Sequence, residues 1–285
     1  MRPIEFRIER PVTLTAALAA LAIVGDPACV LAGGQSLLKQ LRDRVIAPPR
    51  IVDISGLADL AYIKRPAAGL EIGALTTLAM IASDPLVAAH CPALATAARR
   101  VGDVQIRGRA TVGGNLLSGW SGDLGVVLAA VRATVELASQ RGLRTLAIDE
   151  LLSGSVEIHG DELIRALVIP DTLASAFDKL SRRAADPVLV SVAIAVWRTH
   201  EQLEIGCAAG GVHQHPVRLV AVEQAIANHG LKRTTFDAAL IADLKPLQAP
   251  DTPHAGSAYR LRVLPVMVMR VLTLALAGKN FGDWS

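Results

Sequence analysis

The stretch LAGGQSLLKQLR, residues 31–42, places two adjacent glycines, Gly33 and Gly34, between an apolar run and residues with helical character. Two successive residues without side chains let the backbone approach a partner closely, but they also suit an ordinary tight turn. For one Gly-Gly pair the tight turn is the simpler interpretation. The pair indicates a ligand only if another part of the chain points to the same partner.

The stretch RGRATVGGNLLSG, residues 107–119, repeats the pattern with Gly113 and Gly114. The small polar side chains that flank the two pairs are Ser36, Thr111 and Asn115. Backbone N–H groups and hydroxyls of two such loops can converge on one elongated anion such as a diphosphate. Spacing alone leaves two ordinary turns as the alternative.

The familiar nucleotide-binding motifs do not explain these loops. The sequence has no G-x-x-x-x-G-K-[ST], so it does not support a P-loop, and no G-x-G-x-x-G after a predicted strand, so it does not support a Rossmann site. A dinucleotide bound by two separate Gly-Gly loops therefore requires another fold.

The composition is that of a globular protein with a large core, because 52% of the 285 residues are hydrophobic and 19% are charged. This length favours two domains. The net charge of +3 comes without a basic block, and the 3% of aromatic residues are too few for base stacking. Nucleic acid is therefore not expected as a partner.

We also expect no transmembrane segment, because no run of about 18 uninterrupted apolar residues occurs. The N-terminal sequence MRPIEFRIERP carries charges where a signal peptide needs an apolar core, so we expect a cytoplasmic protein. Cys29, Cys91 and Cys207 stand far apart and form no C-x-x-C. This pattern argues against a disulfide framework, a zinc site or a cysteine-ligated iron–sulfur cluster held by this chain alone.

Caps, turn residues and apolar spacing predict a mixed α+β chain. In the first part we expect a helix over 13–22, strands over 28–31 and 50–54, a hairpin around 66–69, and a helix from Pro85 that bends at Pro92. Next we expect a long ordered loop over 105–123, a helix from Leu124, and strand character over 132–139, 142–152 and 161–170. In the last part we expect paired strands over 186–198 and 202–212, and mainly helix over 216–227, 236–240 and 258–276. Two α+β units with a boundary near residue 172 follow from this order.

AGGQSLL (32–38) together with IRGRATVGGN (106–115) resembles the paired FAD-binding loops of the medium subunit of molybdenum hydroxylases, the carbon monoxide dehydrogenase and xanthine dehydrogenase family. The resemblance covers nearly the whole chain. DELIRALVIP is similar to the strand that closes the flavin domain of that family, and KLSRRAADPVLVSVAIAV and GCAAGGVHQHPVRL are similar to its C-terminal domain. Several motifs in the same order make this resemblance more specific than either glycine pair.

The resemblance implies a fold and a set of cofactor-binding residues. The fold is a vanillyl-alcohol-oxidase or PCMH-type FAD-binding domain over 1–172, followed by a smaller α+β domain of the CO dehydrogenase flavoprotein C-terminal type over 173–285. The residues placed along the FAD pyrophosphate are Ala32, Gly33, Gly34, Gln35, Ser36, Leu37, Thr111, Gly113, Gly114 and Asn115. Asp123 matches a carboxylate near the adenosine ribose, and Ile164 lies in the strand that passes the flavin. Lys179 matches a lysine near the ring system, where a cation stabilises reduced, anionic flavin.

By the same resemblance, the chain is the FAD-carrying electron-transfer subunit of a multi-subunit dehydrogenase. A large subunit with molybdopterin acts on the substrate, a small subunit with two [2Fe–2S] clusters passes electrons to FAD, and the complex is a dimer of heterotrimers. No catalytic acid or base and no metal ligand is expected on this chain. The sequence does not distinguish between NAD, a quinone, a cytochrome and oxygen as the external electron acceptor.

Three alternatives are a self-sufficient flavoprotein oxidoreductase, a flavin-free assembly or scaffold subunit, and a plain nucleotide-binding module. The scaffold alternative is motivated by SGWSGDLGVV (118–127), where Gly119, Trp120, Gly122 and Gly125 depart from the family pattern around Asp123. The oxidoreductase alternative requires a substrate domain, for which roughly 110 residues after the boundary are few.

Other polar groups have simpler interpretations. His213 and His215 have metal-like spacing, but we interpret GVHQHPVRL as a surface turn. The basic cluster of Arg99, Arg100, Arg107 and Arg109 is interpreted as a solvated face, with partner docking as the alternative. No Ser-His-Asp arrangement supports hydrolase chemistry.

Overall fold

The structure is a computed structural model that describes residues 5–118, 123–183, 186–199, 202–230 and 232–277. Three β-sheets and their helices form two units. The N-terminal unit contains a small parallel sheet and a larger antiparallel sheet. The C-terminal unit contains the third sheet, and a cleft lies between the two units.

A small lobe begins the N-terminal unit. Its elements are β1 (Arg7–Glu9), α1 (Leu14–Leu21), β2 (Ala28–Leu31), α2 (Leu37–Arg42) and β3 (Arg50–Asp53), followed by a 3-10 turn at Ala58–Leu60. The strands run parallel in the order β1-β3-β2, so helical crossovers are needed to connect them. Thr13 caps α1 as the sequence predicts, because its Oγ1 accepts from the Ala16 N–H at 3.1 Å.

A buried arginine fixes this lobe. Arg50 is 0% exposed. Its guanidinium donates to the Ala20 carbonyl at 2.7 Å, to the Asp26 carbonyl at 2.8 Å and to the Glu9 carboxylate at 3.1 Å. Because these acceptors belong to α1, to the turn before β2 and to β1, one side chain holds three segments around β3.

The larger lobe follows along the chain. Its strands are β4 (Ile63–Lys64), β5 (Leu70–Gly73), β6 (Thr134–Ser139), β7 (Gly142–Ala147) and β8 (Leu163–Ile169). Its helices are α3 (Leu78–Ser83), α4 (Pro85–His90), α5 (Pro92–Arg99), α6 (Val104–Arg109), α7 (Val112–Leu117), α8 (Leu124–Ala130) and α9 (Ile148–Ser153). The sheet is antiparallel in the order β4-β5-β8-β6-β7, and every residue of α8 is buried.

The C-terminal unit is a four-stranded antiparallel sheet in the order β12-β11-β10-β9, covered by three helices. Its elements are β9 (Ala174–Leu180), β10 (Val190–Thr199), β11 (Gln202–Gly210), β12 (Val217–Arg218), α10 (Val220–His229), α11 (Arg233–Leu244) and α12 (Ser257–Leu276). Among the helices of the described residues, none combines the length and the apolar character that crossing a lipid bilayer requires.

The central strands of this sheet are buried on both faces. In β10, Val192 and Ile194 pack in the core with α10, α11 and α12. The alternate residues, Ala193 and Ala195, pack in the core of the N-terminal unit with α8. Burial on both faces explains the nearly continuous apolar sequence of β10, and the small alanine side chains let α8 lie close to the sheet.

The sequence predicts most of these elements, but three predictions are wrong. The ordered loop expected over 105–123 instead contains α6 and α7, because Asp103 and Thr111 provide caps that start two short helices. The bend expected at Pro92 is a break between α4 and α5, with Cys91 in non-helical geometry. The strand expected over 142–152 ends at Ala147 and continues as α9. Strands β1, β9 and β12 and helix α3 had no expected counterpart.

A close backbone approach between the units gives a stability prediction. A Cβ at Gly206 of β11 would overlap the carbonyl oxygen of Ala130 at the end of α8. We expect Gly206→Ala to lower the free energy of unfolding by about 2 kcal/mol, as overpacking does. Gly56→Ala is the matched control, because nothing lies near its Cβ position. Urea denaturation of both variants checks this, and equal midpoints would contradict it.

Candidate FAD-binding site

One cleft of about 960 Å³ lies between the units. The structure brings all of the cofactor-binding residues predicted from the sequence into the wall of this cleft. They are Ala32, Gly33, Gly34, Gln35, Ser36, Leu37, Thr111, Gly113, Gly114, Asn115, Asp123, Ile164 and Lys179. Their contact with FAD stays a prediction, but residues far apart in the chain share one wall.

The first glycine pair is required by geometry. A Cβ on Gly33 would overlap the carbonyl oxygen of Arg109, at the end of α6, so only glycine lets the two loops touch. Gly34 has φ +76°, a left-handed conformation that disfavours side chains. The two loops are therefore in direct backbone contact.

The first loop also presents free hydrogen-bond donors. Among the described residues, no acceptor is found for the backbone N–H groups of residues 33–37. Ser36 precedes α2, and its side chain makes no capping hydrogen bond. Unpaired N–H groups next to a cleft suit an anion with several oxygens, such as a diphosphate.

The N–H groups of the second glycine pair have acceptors within the chain. The Gly113 N–H donates to the Ala74 carbonyl at 3.0 Å, and the Gly114 N–H donates to Thr111 Oγ1 at 3.2 Å. Contact of this pair with FAD stays a prediction. Gly113 also allows close packing, since an added Cβ would lie 3.0 Å from the Ala74 Cβ. Asn115 Oδ1 is buried without a partner among the described residues.

An ion pair joins the two units at the cleft. Lys179 Nζ, on β9, donates to Asp123 Oδ2 at 2.7 Å and to the Arg100 carbonyl at 2.7 Å. The Arg100 guanidinium in turn donates to the Lys179 carbonyl at 2.9 Å and to the carboxylate of Asp178. We call these four residues the Arg100–Lys179 network.

The network brings two predicted cofactor residues together. Asp123, expected near the ribose, and Lys179, expected near the ring system, are in direct contact, and their places along FAD stay predictions. Burial raises the pKa of the Asp123 carboxyl, and the charge of Lys179 opposes the rise. Asp123 Oδ1 is buried and has no partner among the described residues. The pair therefore retains one unsatisfied acceptor.

The remaining predictions near the cleft have mixed outcomes. Ile164 on β8 is 4% exposed and lines the cleft. Gly119, Trp120 and Gly122 lie outside the described residues, and Gly125 is buried in α8. The solvated face expected for the basic cluster is wrong for Arg100, which belongs to the network, and for Arg107, which donates to the Val101 and Gly102 carbonyls.

The sequence missed the wall that the C-terminal unit contributes. The cleft is also lined by residues 186–188, 210–211 and 213–216, with Thr252 and Arg260. His213 and His215 belong to this wall, and their segment is a bend in which Gln214 is exposed, as the interpretation as a surface turn expects. Nothing in the local sequence signals these positions, because they reach the cleft only through the packing of the two units.

A salt bridge fixes another part of the wall. The Glu162 carboxylate accepts two bonds from the Arg144 guanidinium, both at 2.7 Å, and one from the His159 N–H at 2.9 Å. The side chain of Glu162 is 3% exposed. The hydrogen bonds from Arg144 lower the pKa of Glu162 to about 2. Residues 159–164, which line the cleft, are held by this contact.

Comparison with known proteins agrees with this geometry. Residues 4–172 match the family model of the FAD binding domain in molybdopterin dehydrogenase, and residues 175–275 match that of the CO dehydrogenase flavoprotein C-terminal domain. The glyceraldehyde dehydrogenase medium chain of Sulfolobus acidocaldarius is 34% identical over 281 residues, which cover 95% of this chain and 98% of that relative. The 6-hydroxypseudooxynicotine dehydrogenase complex subunit alpha of Paenarthrobacter nicotinovorans is 32% identical, with 97% and 96% covered.

Solved structures share the whole fold. Carbon monoxide dehydrogenase from Hydrogenophaga pseudoflava has a chain with TM-score 0.89 and 27% identity, covering 97% of this chain and 99% of that one. Quinoline 2-oxidoreductase from Pseudomonas putida 86 has one with TM-score 0.87 and 25% identity, with 98% and 99% covered. The chain therefore belongs to the FAD-binding medium subunits of the molybdenum hydroxylase family, a family of oxidoreductases. The predicted resemblance and fold class are confirmed.

The contact between the two glycine loops gives a binding prediction. We expect Gly33→Ala to weaken FAD binding at least tenfold, because its Cβ displaces the loop from the Arg109 carbonyl. Gly108→Ala is the matched control, since it lies in α6 with open space at its Cβ position. Quenching of FAD fluorescence on titration with each protein measures the affinity. Unchanged affinity in Gly33→Ala would contradict the assignment of the loop.

The Arg144–Glu162 pair gives a pH prediction. Because its folded pKa of about 2 lies below the ordinary 4.5, the pair contributes stability above about pH 4.5 that is lost as the pH falls toward 2. We expect Glu162→Gln to cost about 1–2 kcal/mol at pH 7, since a hydrogen bond to a charged group is lost. The difference from the wild-type chain should shrink as the pH falls below 4.5. Thermal unfolding between pH 7 and pH 3 measures it, and a difference independent of pH would contradict it.

Proposed function

We propose that this chain holds FAD in the cleft and passes electrons from the [2Fe–2S] clusters of a small subunit to an external acceptor. The observation that carries the proposal is the row of unpaired backbone N–H groups over 33–37 in the cleft wall. Such donors serve an anionic ligand. The match to an FAD-binding family over the same residues supports FAD as that ligand.

The residues of the cleft fit the chemistry of FAD. The N–H groups of 33–37 would bind the diphosphate, and the unsatisfied oxygens of Asn115 and Asp123 would accept hydrogen bonds from hydroxyl or amino groups. Ile164 adds an apolar surface for a ring. When bound, FAD supplies the redox chemistry, because it accepts and donates electrons singly or in pairs.

The chain's own contribution is binding and electrostatics. Lys179 is 6% exposed, and its charge is held at the cleft by Asp123 and the Arg100 carbonyl. A cation in this position favours the anionic, reduced form of a flavin. The contact with Asp123 reduces that field, because the two charges act together as a dipole. The network therefore moderates the effect of Lys179.

The proposal extends to the partners and the location of the chain. We infer a molybdopterin-binding large subunit and a [2Fe–2S] small subunit, assembled as a dimer of heterotrimers in the cytoplasm. The names of the relatives support this inference, because several are called medium chains or subunits of a complex. We also propose domains over 1–172 and 173–285, supported by the two family models that meet between residues 172 and 175.

The absorption spectrum of the purified full-length chain tests the proposal. We expect flavin bands near one FAD per chain after incubation with FAD and removal of the free cofactor. The same protein should not oxidise an organic substrate, because substrate chemistry belongs to the molybdopterin subunit. Failure to retain FAD would favour the flavin-free scaffold. Substrate turnover by the chain alone would favour the self-sufficient oxidoreductase.

A further inference from the structure

A strained residue lies where the N-terminal unit meets the C-terminal unit. Arg132, which follows α8, has φ +53°, in the left-handed region that glycine favours. Its N–H donates to the Ala129 carbonyl at 3.1 Å, and the Ala133 N–H donates to the Leu128 carbonyl at 3.0 Å. These two hydrogen bonds end α8 in a Schellman motif, in which the position of Arg132 is usually glycine. An arginine at this position therefore opposes the local backbone preference.

The side chain of Arg132 contacts the opposite unit. Among the described residues, the contacts found for its guanidinium are all with the C-terminal unit. The guanidinium lies over the Trp197 ring of β10, 4.9 Å from the ring centroid. It also lies 3.5 Å from the Glu204 carboxylate, 3.4 Å from the Ile205 carbonyl and 3.5 Å from the Glu223 carboxylate. The strained backbone of one unit thus presents a cation to β10, β11 and α10 of the other unit.

The ring beneath Arg132 packs where the backbones of the two units meet. A Cβ at Gly206 of β11 would overlap the carbonyl oxygen of Ala130, the last residue of α8, and would lie 2.9 Å from Cη2 of Trp197. The side chain of Arg132 is 40% exposed. Arg132 therefore covers, from the solvent side, a ring that packs beside the contact between α8 and β11.

A second arginine crosses the interface at the same place. Arg218 of β12 donates to both carboxylate oxygens of Glu223, one of them at 3.0 Å, and to the Asp149 carboxylate of α9 at 3.3 Å. Glu223 is 5% exposed and also accepts from the Cys207 N–H at 2.9 Å. Its carboxylate is thus fixed by its own unit, and Arg132 of the other unit lies against it.

Helix α8 is therefore bound to the C-terminal unit by a charged side chain at each end. Asp123, which precedes α8, binds Lys179 of β9 at 2.7 Å. Arg132 follows α8 and lies against Glu204 and Glu223. An acidic group at the start of a helix and a basic group at its end also suit the helix dipole. The position of α8 against the C-terminal sheet is thus defined at both ends.

We propose that Arg132 is a clamp between the two units, and that docking of the C-terminal unit maintains the left-handed backbone after α8. A single exposed ion pair contributes little to stability. The guanidinium, however, stacks on Trp197 and contacts two carboxylates at the same time, and these contacts together offset the local strain. Without the C-terminal unit the strain has no compensation, so the last turn of α8 opens. Docking of the units and closure of α8 are therefore coupled.

Replacing Arg132 by glycine tests the clamp, because the clamp and an ordinary helix end predict opposite results. Glycine suits this position of the Schellman motif better than arginine, so an ordinary helix end predicts a raised or unchanged urea midpoint for Arg132→Gly. The clamp predicts a lowered midpoint. It also predicts that amide hydrogen exchange in β11 becomes about tenfold faster, because local opening of the interface is easier. Both are measured on the full-length chain without FAD, the exchange by mass spectrometry.

Arg44→Gly is the matched control. Arg44 is the other non-glycine residue with a positive φ, +57°, among the described residues. It is exposed and follows α2 in the small lobe. The same replacement at the same kind of backbone should therefore leave exchange in β11 at the wild-type rate.

A double-mutant cycle tests the contact across the interface. Glu204→Gln removes one carboxylate that faces Arg132, and its side chain is 32% exposed, so the fold should tolerate the change. We expect Glu204→Gln to speed exchange at the end of α8 in the wild-type background and to have a smaller effect in Arg132→Gly, because coupled residues are not additive. Equal effects in both backgrounds would contradict the clamp.

The outcomes separate this inference from the proposed function. Exchange in β11 at the wild-type rate in Arg132→Gly overturns the clamp, and so does a raised or unchanged midpoint. If Arg132→Gly does not fold, Glu204→Gln alone decides: faster exchange at the end of α8 supports the clamp, and exchange at the wild-type rate overturns it. Because every readout uses the chain without FAD, failure to bind FAD contradicts the proposed function and leaves the test of Arg132 valid.

Discussion

The reciprocal pairing of Arg100 and Lys179 is the interaction on which the cleft depends. The ammonium of Lys179 is almost completely removed from water, and an unpaired charge in such a place is strongly unfavourable. It is compensated by Asp123 and a carbonyl of the N-terminal unit, while Arg100 reaches back to Asp178 and the Lys179 carbonyl. Separating the two units would leave Lys179, Asp123 and Arg100 without these partners, whereas Asp178 would keep Arg270 of its own unit. The network therefore fixes where β9 lies against the flavin unit.

Apolar packing also holds the two units together. Helix α8 packs against the face of the C-terminal sheet that carries Ala193 and Ala195. Along the chain, α8 follows α7, which carries the second glycine pair. The cleft wall and the interface between the units are thus made by neighbouring parts of the same segments. In the proposed function FAD lies between the two units, so a change at their interface is expected to alter the site.

The sequence predicts the parts of the site that depend on local backbone constraints. Gly33 and Gly34 are recognisable because a left-handed turn and a close backbone approach both require glycine. The pairing of the Gly113 N–H was not predictable, since Ala74 reaches it from a distant part of the chain, whereas the Gly114 N–H pairs locally with Thr111 Oγ1. The contact between Asp123 and Lys179, and the place of His213 in the wall, also depend on how the units pack. Strand β9 was missed because its polar residues belong to that same interface.

The contact between Gly33 and the Arg109 carbonyl joins two segments that are distant in sequence and are therefore synthesised at different times. The wall of the cleft extends from Ala28 to Arg260, so nearly the whole chain has to be synthesised and folded before the wall is complete. Contacts between residues so distant in sequence form late in folding. In the proposed site, the complete wall around FAD is therefore present only after the C-terminal unit has docked.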